Sequence, residues 1–568
     1  MSHLDWAVLA TALAAMVAYG VWRGGRSRDT RAYLLAGKEM RWGTVAISIM
    51  ATQASAITFL STPGQAYTDG MRFVQFYLGV PIAMIVVSAA AVPLYHRLKV
   101  FTAYEYLESR FDLKTRALTA FLFLIQRGLA AGLTIFAPSL ILSVILGWDT
   151  RVTVLVIGTA VVIYTTSGGA RAVGRTQTLQ AGIILAGLAA AFVAIVALLP
   201  ADVSLLDALR VAGKAGRLRA VDPSFSLTDR YTLWSGLIGG TFLQMSYFGT
   251  DQSQVQRYLT GSSVTQSRLG LLFNGMVKVP MQFGILLVGA TVFAFYQFAA
   301  PPVFFNPVET ARVRASVHGG RFADVEARYV TAHGEQEARA RDLASALRRH
   351  DGGEAGAVAA YRAASARSGS LRAEAISLIR AADPKADPSD TNYVFLSFVV
   401  RNLPAGLVGL VLAMVFAASM SASSAELSAL ASTTLVDVYR RLLRPGEADR
   451  HYVLVSRLAT VGWGAFAVLF AEYASRLGSL IEAVNILGSL FYGTILGVFL
   501  AGFYLKRVSG TAVFAAALAA EALVIACFAF TRISFLWYNV VGCVAVLAVA
   551  PLLEALARGP RASLAASA

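Results

Sequence analysis

The sequence predicts an all-α membrane protein that crosses a lipid bilayer many times. Of its 568 residues, 57% are hydrophobic and only 14% are charged, which is too little charge to cover the surface of a soluble chain of this length. Apolar runs of roughly 20 residues, the length that spans a hydrocarbon core of about 30 Å, recur along nearly the whole chain. A large soluble protein with an oversized core does not explain that recurrence.

We count about thirteen such runs as membrane spans. Their approximate limits are residues 4–22, 43–67, 73–95, 117–147, 151–167, 178–199, 232–250, 269–297, 402–436, 453–473, 480–505, 510–530 and 534–556. No cationic segment precedes the first run and no small-residue cleavage site follows it, so we expect a retained membrane helix instead of a signal peptide.

The charges of the loops predict the orientation of the chain. Basic loops follow odd-numbered spans, at residues 23–31, 96–99, 440–450 and 505–507. Because such loops stay in the cytoplasm, we expect the N-terminus outside and the C-terminus inside. The net charge of +16 therefore does not require a nucleic acid partner, and we expect none. One loop conflicts with this orientation, since residues 200–231 should be external but contain five lysine or arginine residues.

A polar insertion at residues 303–391 interrupts the apolar pattern. Its sequence predicts two amphipathic helices separated by the turn "DGGEAG" at 351–356. Two interpretations stay open: a solvated helical hairpin, or a cap that binds an extracytoplasmic partner or gates the core. No nucleotide loop, metal cluster or nucleophile–base pair is visible in the insertion, so we expect no enzyme chemistry there.

Span two carries more polar residues than a plain membrane helix needs. The stretch "MATQASAITFLSTPG", residues 50–64, includes Thr52, Gln53, Ser55 and Thr58. Polar groups in a bilayer are costly unless they meet each other, water or a ligand. Unwinding around residues 52–56 would free backbone carbonyls that, with a hydroxyl, could cage a small hard cation. The alternative is a helix kinked for packing, whose hydroxyls bond to its own backbone.

Span nine offers a second group of hydroxyls. The segment "FAASMSASSAELSALAS", residues 416–432, carries Ser419, Ser421, Ser423 and Ser424. A packing seam of small residues would also explain this pattern. Two serine-rich segments far apart in the sequence favour a shared site more than either one alone.

Five motifs follow one another along the membrane portion of the chain. They are "ATQASAITFLSTPGQAYTDG" (51–70), "TAYEYLESRFD" (102–112), "TTSGGARAVGRTQTLQ" (165–180), "TDQSQVQRYL" (250–259) and "LPAGLVGLVLAMVFAASMS" (403–421). In this order they resemble the sodium:solute symporter family. Residues 51–112 are especially similar to its bacterial sialic acid branch, and "IFAPSLIL" (135–142) is similar to its monocarboxylate, vitamin and iodide branch.

The resemblance implies the LeuT-type fold, which is built from two inverted five-helix repeats, here spans two to six and seven to eleven. Spans two and seven would be broken helices. The implied division of the chain has six parts: a first helix and basic cytoplasmic loop at 1–42, the first repeat at 43–200, the start of the second repeat at 201–302, the extracytoplasmic insertion at 303–391, the rest of the second repeat at 392–507, and two peripheral helices with a short cytoplasmic tail at 508–568.

The resemblance also implies two binding sites that meet in span two. A transported sodium ion would be held by the carbonyls of Ala51, Ala54 and Ala418 and the hydroxyl of Ser421. The solute would contact residues of spans two, three and seven: Gln53, Ser55, Thr58, Phe73, Gln75, Gln244 and Tyr247. No organic cofactor is expected.

Three residues depart from the family's pattern. Ala422 replaces a second hydroxyl, Gln177 stands where the family has a carboxylate, and Glu426 stands where it has a small residue. Glu426 could replace the missing carboxylate, carry a proton or pair with a cation in the bundle. We expect sodium coupling to be retained, with proton coupling as the main alternative.

Two cations in the spans bear on the solute. Arg127 in span four aligns with an arginine that binds a carboxylate in the sialic acid branch, and its planar fork suits that group. It could instead pair with Glu426 or a carbonyl. Lys278 lies near mid-depth of span eight, where sugar symporters place a lysine, but snorkelling or an internal ion pair would also explain it.

These observations predict a secondary active transporter of the bacterial inner membrane and not an enzyme. It would couple a cation, sodium by preference, to a small organic anion or an acidic or hydroxylated sugar by alternating access. Its expected partners are the lipid bilayer and the solute. A transporter-like solute sensor is the other alternative, which the short tail after Ala550 disfavours.

Overall fold

The computed structural model describes residues 1–24, 34–35, 38–349, 353–384, 386–474 and 478–558, with no side-chain description for 17, 20–24 and 167–175. Within these ranges the chain forms α-helices and short 3₁₀ or π-helical turns, and no β-strand. The basic loop predicted at residues 23–31 falls almost entirely outside the described residues. The described part of the chain is therefore all-α, as predicted.

Twenty α-helices follow one another along the described chain. They are α1 (His3–Gly24), α2 (Trp42–Gln53), α3 (Ala56–Asp69), α4 (Val80–Leu98), α5 (Glu105–Arg110), α6 (Leu113–Leu146), α7 (Thr150–Ala197), α8 (Leu205–Lys214), α9 (Gly240–Gly249), α10 (Gln252–Leu259), α11 (Val264–Phe295), α12 (Pro307–Arg314), α13 (Gly319–Arg349), α14 (Glu354–Ala382), α15 (Thr391–Asn402), α16 (Leu407–Thr433), α17 (Asp449–Ala474), α18 (Leu480–Tyr504), α19 (Gly510–Phe530) and α20 (Phe535–Arg558).

The helices have the length and composition of membrane spans. Among the described residues, nine are long and apolar enough to cross a membrane, and ten if the bent pair α2 and α3 counts as one span. The stretches His3–Met16 and Thr150–Thr166 are shorter apolar helices. The prediction of a multi-span helical protein is confirmed, whereas the exact number of thirteen spans stays a prediction.

The predicted loop between spans five and six is replaced by helix. Spans 151–167 and 178–199 are joined in the single helix α7, which has 48 residues. Its apolar stretches, Thr150–Thr166 and Thr176–Ala197, match the two predicted runs. The connecting motif contains Gly168 and Gly169, but a glycine lowers helix stability by only about 1 kcal/mol relative to alanine and does not by itself stop a helix.

Span two is interrupted where the sequence predicted. α2 ends at Gln53 and α3 begins at Ala56, and the two helices are bent by 59°. Ser55 is fully extended, with φ −81° and ψ 171°, and Ala54 is non-helical, with φ −90° and ψ 78°. Because the helical hydrogen-bond ladder stops here, most carbonyls of the last turn of α2 lose their intrahelical partners.

Span seven is less irregular than the resemblance implied. A π-helical turn at Ser235–Gly239 leads directly into α9, without the extended residues that break span two. Gly236 in this turn lies against the 3₁₀ segment Met71–Tyr77, because a Cβ there would be 2.1 Å from the carbonyl oxygen of Gln75. The expected break is therefore a widened turn that accommodates a close neighbour.

α16 lies at the centre of the bundle and is buried along nearly its whole length. It packs against α7, α6, α1, α17 and both halves of span two. The small residues of the segment 416–425 allow these close approaches. The serine-rich stretch of span nine is thus placed directly beside the break in span two.

The insertion contains the two predicted helices, α13 and α14, which pack against each other, and the additional short helix α12. It is docked on the membrane bundle, because Leu343 and Leu347 of α13 share a small apolar core with Val211 of α8 and Phe298 after α11. We call this end of the bundle the insertion end. Its placement outside the cell stays a prediction.

The packing of α3 against α11 gives a first testable prediction. A Cβ added at Gly289 of α11 would lie 2.1 Å from the carbonyl oxygen of Pro63, whereas one added at Gly284 would meet no heavy atom within 4 Å. Since overpacking costs about 1–3 kcal/mol, Gly289→Ala should lower the melting temperature of the purified protein, measured by intrinsic fluorescence. Gly284→Ala is the matched control and should not lower it. Equal losses in both variants would contradict the close contact.

Candidate functional site

The break in span two faces the hydroxyl of Ser421. Ser421 Oγ donates a hydrogen bond to the carbonyl oxygen of Ala51 at 2.9 Å, and both residues are buried. Ala54 lies in the break itself, and Ala418 lies about one turn before Ser421 on α16. The structure thus brings together the two segments that carry the predicted sodium ligands.

Gln177 of α7 closes the other side of this contact. Its Nε2 donates to Thr52 Oγ1 at 3.1 Å and to Ser421 Oγ at 3.2 Å, while its Oε1 accepts from Ser48 Oγ at 2.5 Å. From the sequence, Gln177 was notable only as the replacement of a carboxylate. In the structure it is a neutral amide that joins α2, α7 and α16, so the oxygen atoms gathered here are carbonyl, amide and hydroxyl groups.

A cavity of about 90 Å³ lies next to this contact. Its lining includes seven residues that the sequence predicted for solute binding or coupling: Gln53, Ser55, Thr58, Arg127, Gln244, Tyr247 and Glu426. Gln126, Asn485 and Tyr492 are further polar residues of the lining. We call this space the central cavity.

Several polar atoms around the central cavity have no hydrogen-bond partner among the described residues. They are one side-chain amide atom each of Gln53, Gln126, Gln244 and Asn485, and Nε of Arg127. An unsatisfied buried donor or acceptor costs about 1–3 kcal/mol. Their convergence on one cavity indicates a site that is completed by a hydrogen-bonding ligand or by water.

Arg127 is bound by two carboxylates. One Nη donates to Glu426 Oε1 at 3.0 Å, and the other donates to Asp251 Oδ2 and to Tyr492 OH. Tyr492 OH in turn donates to Asp251 at 2.8 Å, and the Arg127 guanidinium lies 5.4 Å from the centre of the Tyr247 ring. Of the two interpretations of Arg127, the ion pair with Glu426 is thus observed.

This cluster changes the electrostatics expected of the site. One guanidinium and two carboxylates carry a net charge of −1 when all three are ionised. The charge of Arg127 is therefore already compensated before an acidic solute binds. Two of its donors still have no partner in these contacts, including Nε, which faces no described acceptor. Sequence reasoning missed Asp251 as a partner, although it lies in the quoted motif "TDQSQVQRYL".

Three residues that were predicted to contact the solute, Phe73, Gln75 and Lys278, do not line the central cavity. The amide of Gln75 donates to the Tyr231 carbonyl at 3.0 Å and accepts from the Asp222 backbone at 2.9 Å. Phe73 packs on Tyr231 of that loop with ring centres 5.1 Å apart. These contacts hold the 3₁₀ segment against the loop before α9, so the structure favours a packing role for both residues.

Lys278 is fully buried behind the cavity wall. Its Nζ lies 5.1 Å from the centre of the ring of Tyr77, which itself lines the central cavity. No carboxylate lies within 4.0 Å of Nζ in the described part of the chain, so the internal ion pair is not observed. Lys278 therefore faces an aromatic wall and not the cavity. The sequence of the span alone did not determine which side of the helix this lysine would occupy.

A polar network lies at each end of the central cavity. At the insertion end, Glu482 accepts from Arg230 at 2.6 Å, from Tyr231 OH at 2.9 Å and from Gln65 at 3.2 Å. We call it the Glu482 network.

At the opposite end, Asp437 accepts from Arg116 at 2.8 Å and from Thr102 at 2.9 Å. Glu108 links Arg116 to Arg441, and these two guanidinium groups outweigh its burial, so the pKa of Glu108 lies below its usual value. We call it the Asp437 network. Separate closures at the two ends are what alternating access requires.

Comparison with known proteins places the chain among transporters. A family model described as the sodium:solute symporter family matches residues 33–323 and 370–519. Human sodium-coupled monocarboxylate transporter 1 is 27% identical over 505 residues, covering 88% of this chain and 68% of the relative. The sodium/sialic acid symporter of Proteus mirabilis is 24% identical over 553 residues, covering 96% of this chain and 93% of the relative.

A solved structure has the same fold. The substrate-bound, outward-open structure of a Na⁺-coupled sialic acid symporter matches this chain with a TM-score of 0.75 at 22% identity, covering 97% of this chain and 98% of the other. At that identity the likeness shows the fold. The predicted LeuT-type fold is therefore confirmed.

The Arg127 cluster gives a second prediction. Removing one partner of a buried ion pair costs about 3–5 kcal/mol because a charge is left uncompensated. Arg127→Gln leaves two carboxylates and should lower the melting temperature most. Asp251→Asn should follow, because Asp251 also accepts from Tyr492 and Ser253. Glu426→Gln should be mildest.

The measurement is thermal unfolding of the purified variants in one detergent. The double variant Arg127→Gln/Glu426→Gln should be less destabilised than the sum of its single changes, because it removes opposite charges together. Strict additivity, or a wild-type melting temperature for Arg127→Gln, would contradict the cluster.

Proposed function

Because the chain belongs to the sodium:solute symporter family, we propose that it couples the entry of sodium to the uptake of a small organic solute. It is a multi-pass secondary transporter and not an enzyme. The observation that carries the proposal is the contact between Ser421 and the Ala51 carbonyl at the break of span two, beside a cavity with unpartnered polar atoms. We further propose the bacterial inner membrane as its location, with the insertion end outside.

The chemistry of the Ser421 contact supports sodium as the coupling ion. Backbone carbonyls and hydroxyls are hard, neutral oxygen ligands, which suit a small hard cation in a membrane interior. An ion there would replace the Ser421–Ala51 hydrogen bond, since both oxygens would turn their lone pairs toward it. Ala54 and Ala418 would add carbonyls. Because Ala422 has no hydroxyl, the ion would have one ligand fewer than in the family's pattern. Gln177 and Thr52 lie nearby and have oxygen atoms that could replace it.

The shared break explains how ion and solute would be coupled. The ion would bind the end of α2, while Ser55 and Thr58 at the start of α3 line the central cavity. An ion that fixes the angle between the two half-helices would therefore favour the same state that the solute needs, which is the thermodynamic condition for symport. Alternating access would open the Glu482 network and the Asp437 network in turn.

The solute class is inferred from the cavity lining and from the relatives. The unpartnered amides of Gln53, Gln126 and Gln244 suit hydroxyl groups, and Nε of Arg127 suits a carboxylate oxygen. We therefore propose an organic acid or an acidic or hydroxylated sugar, a class that includes the sialic acid and monocarboxylates named for the relatives. The cavity is smaller than the roughly 300–1,000 Å³ of typical ligand sites, so it would widen as a network opens.

Proton coupling is the second candidate, and one observation favours it. Glu426 lines the central cavity, is 6% exposed and shares Arg127 with a second carboxylate. Two acids beside one guanidinium do not need to be ionised together, so Glu426 could bind and release a proton during the cycle.

A third prediction separates the two coupling ions. Uptake of labelled sialic acid, lactate and glucose would be measured in proteoliposomes, with a sodium gradient or a pH gradient imposed alone. We expect the sodium gradient to drive accumulation of at least one acid, and the pH gradient to have little effect. Accumulation driven only by the pH gradient would support the Glu426 mechanism instead and contradict sodium coupling.

A fourth prediction tests the ion site. Ser421→Ala removes a ligand oxygen and should raise the sodium concentration for half-maximal uptake by roughly tenfold or more, the effect of losing about 1.5 kcal/mol of one charge-assisted contact. Ser428→Ala is the matched control on α16, because Ser428 makes only a 3.5 Å contact with Gln256. An unchanged sodium dependence in Ser421→Ala would remove Ser421 from the site.

A further inference from the structure

A second cavity, of about 710 Å³, lies between the insertion and the membrane bundle. Its walls come from the last turn of α3, the loop after α8, the end of α11 and the facing sides of α13 and α14. We call it the insertion cavity. It is separate from the central cavity, since no residue lines both.

The charged side chains of the insertion cavity are all cationic. Lys214, Arg217, Arg362 and Arg372 line it, and its lining contains no aspartate or glutamate. Arg372 is balanced by Asp390 at 2.6 Å, and Lys214 lies 4.0 Å from Glu354. His333 is the other basic residue of the lining. Burial lowers its pKa below the usual value, so its ring is neutral at pH 7.

Arg217 and Arg362 have no such balance. Within the described part of the chain, neither has a carboxylate within 4.0 Å. Arg217 donates one Nη to the Thr68 carbonyl, and its Nε is buried without a hydrogen-bond partner. Arg362 donates to the Lys214 carbonyl at 3.3 Å. A guanidinium stays charged at any physiological pH. Asp69 acts on Arg217 electrostatically from beyond 4.0 Å, but neither guanidinium is in direct contact with a described carboxylate, so the cavity keeps a net positive charge.

Five aromatic rings form much of the remaining surface of the insertion cavity. Tyr67, Phe293, Tyr296, Tyr329 and Tyr361 line the cavity, and the Arg217 guanidinium lies 5.0 Å from the centre of the Phe293 ring. Guanidinium groups beside aromatic rings suit a ligand with an acid group and a flat apolar body. A volume of 710 Å³ falls in the range of sites for small organic ligands.

The insertion cavity is a feature of this chain's own insertion. Residues 324–369 lie between the two ranges that match the family, and they contribute Tyr329, His333, Tyr361 and Arg362 to the lining. The binding residues of the central cavity lie outside that segment. The two cavities therefore have different structural origins.

We propose that the insertion cavity is a second binding site, for an organic anion that carries a carboxylate or phosphate on an aromatic or apolar body. The acid group binds Arg217 and Arg362, and the apolar body packs on Phe293 and Tyr361. The site goes beyond the proposed transport function and does not depend on it, because none of its residues contacts the central cavity.

Binding of three probes to the purified full-length protein in lipid nanodiscs tests this site. The probes are 1-naphthoate, 1-naphthyl phosphate and the uncharged 1-naphthalenemethanol, and the measurement is isothermal titration calorimetry without sodium. We expect at least one acid to bind roughly tenfold or more tightly than the alcohol, the difference made by a charge-assisted hydrogen bond. The tighter acid identifies the preferred group.

Variants locate the binding. Arg362→Gln and Arg217→Gln should each weaken binding of the acid roughly tenfold. Arg362 is exposed, so its replacement should not disturb folding even if that of Arg217 does. Arg367→Gln on the same helix is the matched control, because Arg367 pairs with Glu335 outside the cavity, and it should bind as the wild type does.

Three outcomes would overturn the proposal: no binding of either acid, equal binding of the alcohol, or binding that is lost in Gln53→Ala but not in Arg362→Gln. The last result would assign the anion to the central cavity. Failure of sodium-driven uptake would leave this result untouched, so the two proposals fail separately.

Discussion

The structure depends on one constraint: backbone carbonyls freed inside a membrane must find partners within the protein. The extended conformation of Ser55 stops the helical ladder of span two, and the partner for the Ala51 carbonyl is the hydroxyl of Ser421. The small residues before Ser421 let α16 approach closely enough for this contact. Gln177 then binds the same hydroxyl and fixes a third helix at the same point. The break, the central position of α16 and the location of the cavity all follow from that requirement.

The charges inside the bundle follow a related rule, since a buried ion needs a partner before any solute arrives. Arg127 meets this need with Asp251 and Glu426, and Lys278 places its ammonium against the face of Tyr77. Arg127, with two carboxylates beside it, therefore does not attract an acid by net charge alone. In the proposed function, recognition in the central cavity would rely on directed hydrogen bonds to the glutamine amide oxygens and from the remaining donors of Arg127. In the insertion cavity, by contrast, Arg217 and Arg362 have no carboxylate within 4.0 Å among the described residues, and Arg217 Nε is buried without a hydrogen-bond partner.

Much of the fold was predictable because its signals are local. Span length, the polar stretch at residues 50–58 and the serines of span nine each follow from the sequence of one segment. The site was predictable only in part, because its remaining features depend on distances between segments. Asp251 and Arg127 are 124 positions apart, and nothing in either span states that they meet. The family resemblance implied that Gln75 contacts the solute, yet its amide forms hydrogen bonds with Tyr231 and Asp222 in the loop before α9. The continuity of α7 was not predicted, because the sequence shows two apolar runs and the polar segment between them is also helical.

The half-helix α3 connects these parts of the molecule. Its start lines the central cavity through Ser55 and Thr58, and its end borders the insertion cavity through Thr68. Along its length, Gly64 lies so close to Thr391 of α15 that an added Cβ would be 1.8 Å from that residue's carbonyl oxygen. Such tight contacts would make α3 move together with α11 and α15 if the angle between α2 and α3 changed. The bending would then be confined to the two non-helical residues between α2 and α3, where the ion is proposed to bind. A change of angle at that joint would reach both cavities at once, because the same rigid helix forms a wall of each.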